Sequence, residues 1–192
     1  MTRILIIQGH PDSSQAHFCH ALAQSYAKGA RDAGHEVEVI EVAASGVTCL
    51  RSRAEWQEEV LPEYVARGQQ AVAAADHLVF VYPLWLGTMP ALLKAWLEQV
   101  FREQFAFTVG DKGWHPKLKG KSARIIVTMG MPSAFYRWFY FAHSLRSFER
   151  NILKFCGIRP VRWTVCGMVD DKRAERRVAY LAEAASDGAA AR

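Results

Sequence analysis

The sequence predicts an α/β domain: a doubly wound, five-stranded parallel sheet in the order 2-1-3-4-5, with helices on both faces. Three observations carry this. Short apolar runs alternate with stretches of helical periodicity along the chain. Most of those runs are apolar nearly throughout, as strands buried on both faces must be, and one alternates like an edge strand. Right-handed crossovers between parallel strands then leave few topologies, and this order is the natural one for five strands.

The elements follow in order. Residues 3–8 form the first apolar run. Over 18–33, Phe18, Leu22, Tyr26 and Ala30 repeat every fourth position, one face of a helix, and Gly34 stands where a C-terminal stop belongs. Residues 35–42 alternate apolar and polar and read as the edge strand. A short helix over 52–61 and a longer one over 62–75, with Pro62 near its first turn, come next. Residues 77–82 form a second buried strand that breaks at Pro83, and a helix starts at Pro90. In that helix Leu92, Leu93, Trp96, Leu97, Val100 and Phe101 share a face, with Lys94, Glu98, Arg102 and Glu103 pointing away. Residues 105–121 read as a surface excursion or hairpin, 123–128 and 161–168 as further buried strands, and 136–155 as one long helix between them. A last helix over 171–185 closes the chain, its polar face including the mixed cluster 170–177, and 186–192 reads as a frayed tail.

The bulk numbers narrow the function classes. A chain of 192 residues suits a single domain over 1–192, and 51% hydrophobic with 22% charged residues excludes wholesale disorder. The longest uncharged stretch, 78–93, is interrupted by Pro83, Gly87 and Pro90 and is too short for a membrane span. With no signal-peptide pattern at the start, a soluble cytoplasmic protein is expected. The four cysteines show no C-x-x-C pair and no zinc spacing, so no metal site is expected and the thiols read as packed side chains. The net charge of +5 suits an anionic ligand, but the basic residues are spread out rather than gathered into the stripe a nucleic-acid reader needs.

In the predicted topology, the loops after strands one, three and four meet at a ligand crevice. The first runs from Gly9 to His17. It opens a helix, whose free N–H groups suit a phosphate, and His10, Ser14 and His17 offer side-chain donors; a simple capping turn is the alternative. It carries neither the P-loop ending nor G-x-G-x-x-G. The second loop, Pro83, Leu84, Trp85, Leu86, Gly87 and Thr88, places apolar side chains at the crevice. They either pack over the sheet end or are covered by something flat and apolar, which an isoalloxazine ring would be. In the third, Thr128, Met129, Gly130 and Met131, the glycine permits close backbone approach to a ligand. Tyr136 and His143 follow as candidate proton donors, although the aromatic run 135–141 also reads as core or subunit interface.

Together these pieces resemble the NAD(P)H:quinone oxidoreductases of the flavodoxin-like fold, the DT-diaphorase type, with bacterial relatives that include potassium-efflux ancillary proteins. The resemblance rests on Gly9-His10-Pro11 with Phe18 and Leu22, on Pro83-Leu84-Trp85, and on the run from Met89 to Trp96. It continues through Phe105-Ala106-Phe107, Thr128-x-Gly130 followed by Tyr136, and Phe155-Cys156-Gly157-Ile158, and so spans nearly the whole chain.

The resemblance implies tightly bound FMN or FAD, NADPH or NADH as hydride donor, a quinone-like acceptor and a homodimer whose second subunit completes each site. It implies that His10, Ser14, His17 and Phe18 hold the phosphate region and that Pro83, Leu84, Trp85 and Leu86 line the ring. Thr128, Met129, Gly130 and Met131 would contact the polar edge of the ring, with Tyr136 and His143 as catalytic groups. The chain departs from the family pattern at His17, where a serine is usual, and at Leu86 and Gly87, where aromatics are common. Two other readings of the same fold are a regulatory subunit of a membrane transporter and a one-electron flavodoxin carrier; the positive charge argues against the carrier, whose kind is usually acidic.

Overall fold

The computed structural model describes residues 1–58, 60–110, 113–171 and 174–192. Its main sheet is built from β1 (Arg3–Gln8), β2 (Glu36–Glu41), β3 (His77–Pro83), β6 (Ser122–Thr128) and β7 (Val161–Cys166). All its pairings are parallel, in the order β2-β1-β3-β6-β7. Counted without the intervening hairpin, that is 2-1-3-4-5, as the sequence predicts. A separate antiparallel pair, β4 (Phe107–Gly110) and β5 (Gly113–Pro116), forms the expected excursion between β3 and β6. Its tip at 111–112 lies outside the described residues, as do 172–173 in the mixed cluster.

Strand alternation divides the core into two layers. Ile4 and Ile6 of β1, Val79 and Val81 of β3, and Ile126 of β6 face α1 (Phe18–Asp32) and α7 (Ala174–Ala189). Leu5 and Ile7, Phe80 and Tyr82, and Ile125 and Val127 face the other way. There they meet α3 (Glu63–Ala74), which follows the short α2 (Arg53–Gln57), α4 (Ala91–Val100) and the segment around Leu145, Phe148 and Leu153. The first layer is tight enough that α1 and α7 meet at glycines. A Cβ on Gly29 would lie 2.0 Å from the Ala185 carbonyl oxygen, and one on Gly188 2.1 Å from that of Tyr26. Gly34 ends α1 at φ +81°, a conformation that costs glycine little.

Four expectations are corrected. The helix expected over 136–155 is broken into α5 (Ser133–Trp138), α6 (His143–Ser147) and π-helical turns over Phe148–Leu153. Phe141 and Ala142 adopt φ +51° and +49° between them, and the Ala142 N–H donates to the Tyr136 carbonyl, so the chain turns back before resuming. Consecutive left-handed non-glycine residues cost about 1–2 kcal/mol each, which helical periodicity in the sequence does not register.

Second, the tail is not frayed. α7 runs to Ala189 and Asp187 is buried, while the Arg192 carbonyl accepts from Tyr26 Oη (3.3 Å) and from Arg124 Nε. Third, Arg102 does not point to solvent. It is 5% exposed, with Nε donating to the Gln99 carbonyl and Nη1 to that of Trp56. Fourth, β7 is the second edge of the sheet, and only its last two residues are buried. Of the thiols, Cys19, Cys156 and Cys166 are buried and Cys49 is exposed.

Candidate functional site at the strand ends

β1, β3 and β6 all end at the same edge, where the register pairs Gln8 with Val81 and Pro83 with Thr128. The three loops that leave them touch. The Leu84 N–H donates to the Thr128 carbonyl at 2.7 Å, Cys19 Sγ lies 3.2 Å from Thr128 Oγ1, and the His10 and Trp85 rings meet edge-on with centroids 5.9 Å apart.

The first loop is organised by a residue that sequence reading missed. Asp12 accepts from the Ser14 N–H (2.8 Å), from Ser14 Oγ (2.6 Å) and, through its other oxygen, from His17 Nε2 (2.8 Å). These hydrogen bonds, the Ser14 hydroxyl first, hold its carboxyl well below the usual range. The Asp-x-Ser spacing is an Asx-turn signal, available in the sequence but not weighed there. His10 is buried, its ring stacked on His17 at 3.8 Å and its Nδ1 3.1 Å from the donating Asp12 N–H. Burial, then the neighbouring His17, pulls its pKa down. His20 was also missed. Its Nδ1 accepts from the His17 N–H at 3.2 Å, and its ring lies 5.6 Å from that of His10. Three imidazoles therefore cluster at the start of α1, one of them bonded to the Asp12 carboxylate, where the first N–H groups have no intrahelical acceptor. Phe18 is half-buried at the first position of that helix.

In the second loop Pro83 is buried and Leu84 half-buried, while Trp85 is 50% exposed and Leu86 fully so. A tight turn, with Trp85 and Thr88 each donating an N–H to the other's carbonyl, holds these two side chains out; Leu86 and Gly87 take φ +44° and +82°. Burial therefore separates the two alternatives left open above: Trp85 and Leu86 do not pack down over the sheet end.

In the third loop Thr128 and Met129 are buried. The Met129 N–H donates to the Cys166 carbonyl, while those of Gly130 and Met131 have no backbone acceptor. A Cβ on Gly130 would lie 2.8 Å from Asp170 Oδ2, so the glycine makes room for a carboxylate that arrives from the loop after β7. That contact joins residues forty positions apart and has no local sequence signal. Tyr136 is 2% exposed, and its Oη is engaged by Ser144 Oγ at 2.7 Å and by the Leu145 N–H. The phenol expected as a donor to a ligand therefore has Ser144 Oγ and the Leu145 N–H as its partners. His143 is exposed, its ring against Phe141. Trp138 (79%), Phe139 (63%) and Phe141 (58%) are exposed beside it. Cys19 is no nucleophile, since burial pushes its thiol up to about 12.

Comparison with known proteins agrees with this architecture. The profile of the flavodoxin-like fold family matches residues 2–187, and the chain belongs to that family. An uncharacterised NAD(P)H oxidoreductase of Haemophilus influenzae is 27% identical over 186 residues, covering 93% of this chain and 92% of the relative. The match to mouse ribosyldihydronicotinamide dehydrogenase [quinone] is 28% identical and covers 66% of this chain but only 57% of that enzyme. Among solved structures, NAD(P)H:quinone oxidoreductase from Methanothermobacter marburgensis superposes with a TM-score of 0.86 at 23% identity, over 98% of both chains. An FMN-dependent NADH-azoreductase of Bacillus anthracis, in complex with FMN, superposes with a TM-score of 0.80 at 17% identity over 99% of both chains.

Proposed function

We propose that this chain is an NAD(P)H-dependent flavoprotein oxidoreductase that holds FMN or FAD tightly in the strand-end crevice and reduces quinones or similar acceptors. The observation that carries the reading is the convergence of a histidine-rich helix start, an exposed Trp85–Leu86 pair and the Gly130 turn, with Asp170 against it, on one edge of the sheet. The donor set fits a flavin: an apolar wall for a flat ring, backbone N–H groups for its polar edge, and imidazoles with a helix N-terminus for a phosphate. When bound, the flavin supplies two-electron chemistry between a nicotinamide and an acceptor.

The residues then have separable roles. Trp85 and Leu86, with Pro83 and Leu84 beneath them, cover the ring and exclude water. Gly130 and Met131 donate N–H groups to it, and Thr128 and Met129 fix that loop. His10 and the N–H groups near Phe18 hold the phosphate end. Ser14 and His17, tied to Asp12, shape the loop and reach the ligand only by exchanging that partner. Tyr136 positions the crevice wall through Ser144, and exposed His143 is the proton-handling group. The chain works as a single cytoplasmic domain and as a homodimer, in which the exposed aromatics at 138–141 meet a second copy that closes the open side of the crevice. A membrane transporter docking on the same aromatics is the second reading those side chains favour. No helix among the described residues is long and apolar enough to cross a membrane.

The test is direct. Purified protein should be yellow, release FMN or FAD on denaturation, and oxidise NADPH or NADH when menadione is added. Colourless protein that takes up neither flavin overturns the proposal, and a stable blue semiquinone with no menadione turnover would favour a one-electron carrier instead.

A further inference from the structure

The edge strand β7 has β6 as its neighbour on one side only. Its bonds to β6 include the Pro160 and Cys166 carbonyls, which accept from the Ala123 and Met129 N–H groups. A strand in a parallel ladder turns alternate residues to each side, so Val161, Trp163 and Val165 direct their N–H and C=O groups away from β6. Val165 is buried, which leaves 161–163 as the open part of the edge. An open groove of about 530 Å³ runs along it, and none of its walls belongs to the three strand-end loops. Four arginines from different parts of the chain line this groove: Arg124 of β6, Arg137 of α5, Arg162 of β7 and Arg192 beyond α7. Arg124 and Arg192 share Asp187 as their partner, at 2.8 and 3.3 Å. Arg137 and Arg162 are exposed and have no carboxylate partner among the described residues. Arg162 lies near enough to repel the charges of Arg124 and of protonated His77. The two free guanidiniums flank the edge from opposite faces. Arg162 stands beside Arg124 in register, on the face of α1 and α7. Trp163 turns to the other layer, and the Arg137 guanidinium lies over its ring, 5.9 Å from the centroid. The Trp163 backbone N–H points out between them, with no acceptor among the described residues. Charge on an edge strand keeps other sheets from pairing with it, but Arg137 comes from a helix, which that purpose does not require.

We propose that this groove, separate from the strand-end crevice, binds the phosphate of a small phosphomonoester, held by Arg162 and Arg137 from either face and by the Trp163 N–H at the edge. The ligand class follows from charge, shape and volume. Four guanidiniums stand against two carboxylates, Asp187 and exposed Glu183, an excess of two positive charges that matches a phosphate dianion. A phosphate ester keeps three terminal oxygens in a tetrahedral array, which meets donors arriving from three directions. A carboxylate has two coplanar oxygens and serves fewer of them, and guanidinium forks are well matched to phosphate. The Trp163 ring offers no platform to a base. Arg137 lies over it, it packs against the core, and its Nε1 donates to Glu149 at 3.0 Å. A plain phosphate ester is therefore preferred to a nucleotide. The volume lies within the usual range for small-molecule pockets, about 300–1,000 Å³.

The experiment follows the Trp163 backbone amide and the Nε–H signals of Arg137 and Arg162 in ¹H–¹⁵N correlation spectra during titration with glycerol 3-phosphate at fixed ionic strength. The proposal expects these signals to shift together and saturate, with acetate binding more weakly. Arg162→Gln and Arg137→Gln, both at exposed positions, should each raise the Kd about tenfold, as loss of a charged hydrogen bond does. Arg150→Gln removes an exposed charge that is not a wall of the groove and should leave the Kd unchanged. Shifts that never saturate, or that are confined to the loop from Gly9 to His17, overturn the proposal. So does equal weakening in Arg150→Gln, which would reduce the effect to net charge. Tighter binding of inorganic phosphate than of the ester would overturn the ester in favour of the free ion.

Discussion

Replacing Asp187 by Ala tests how the end of the chain is held. Arg124 on β6 and Asp187 on α7 are paired at 2.8 Å (Nη1 to Oδ2), with side chains 7% and 8% exposed. At that distance the Coulomb attraction is about 6 kcal/mol for an effective dielectric of about 20, most of it offset by the desolvation of both groups. Truncating one partner removes the attraction but not the buried charge, which typically costs about 3–5 kcal/mol. Arg124 keeps Thr164 Oγ1 at 2.6 Å and the Arg192 carbonyl as acceptors, which places the loss at about 3 kcal/mol. For a domain of this size that lowers Tm by about 6–12 °C. The assay is urea and thermal unfolding of the wild type, Asp187→Ala, Arg124→Met and the Arg124→Met/Asp187→Leu double variant at pH 7. The double variant, which leaves no buried unpaired charge and frees only the half-exposed Arg192 side chain, should lie within about 1 kcal/mol of the wild type. A cost under about 1 kcal/mol for Asp187→Ala, or no coupling in the cycle, would refute the argument that this pair clamps the tail to the sheet.

Two further outcomes are expected. Burial first, then the charges of Arg124 and Arg162, hold the pKa of His77 down to about 4, so the folded protein keeps it neutral while the unfolded chain protonates near pH 6.5. Stability should therefore fall as pH drops from about 6.5 to 4 and level off below, by up to about 3 kcal/mol, with no contribution from this group above 6.5. Urea midpoints of the wild type and His77→Gln at pH 7 and 4.5 read this, and equal pH dependence of the two would contradict it. Trp85→Ala should leave Tm unchanged, since the side chain is half exposed, yet raise the FMN Kd about tenfold by removing about 1.5 kcal/mol of apolar cover. Unaltered flavin affinity by fluorescence titration would remove Trp85 from the site.

The sheet was legible in the sequence because burial on both faces leaves a strand few polar positions. Ile4 to Ile7 and Leu78 to Val81 are apolar without interruption, and β2 alternates because it is an edge. Topology followed from handedness, and with it the edge where the candidate loops meet. The same periodicity failed between Tyr136 and Phe155, where the two left-handed residues Phe141 and Ala142 break a pattern that reads as one helix. The sequence by itself determined which three loops gather at that edge and that His10, Trp85 and Gly130 belong to them. Only the tertiary structure decided what those side chains do. Asp12 takes Ser14 and His17 as partners, Ser144 takes the Tyr136 hydroxyl, and Asp170 comes against Gly130 from the far end of the chain. The physical reason is that periodicity records which face a residue turns to the core. A hydrogen bond depends on which atoms of distant segments arrive within about 3 Å of each other, and that is set by packing.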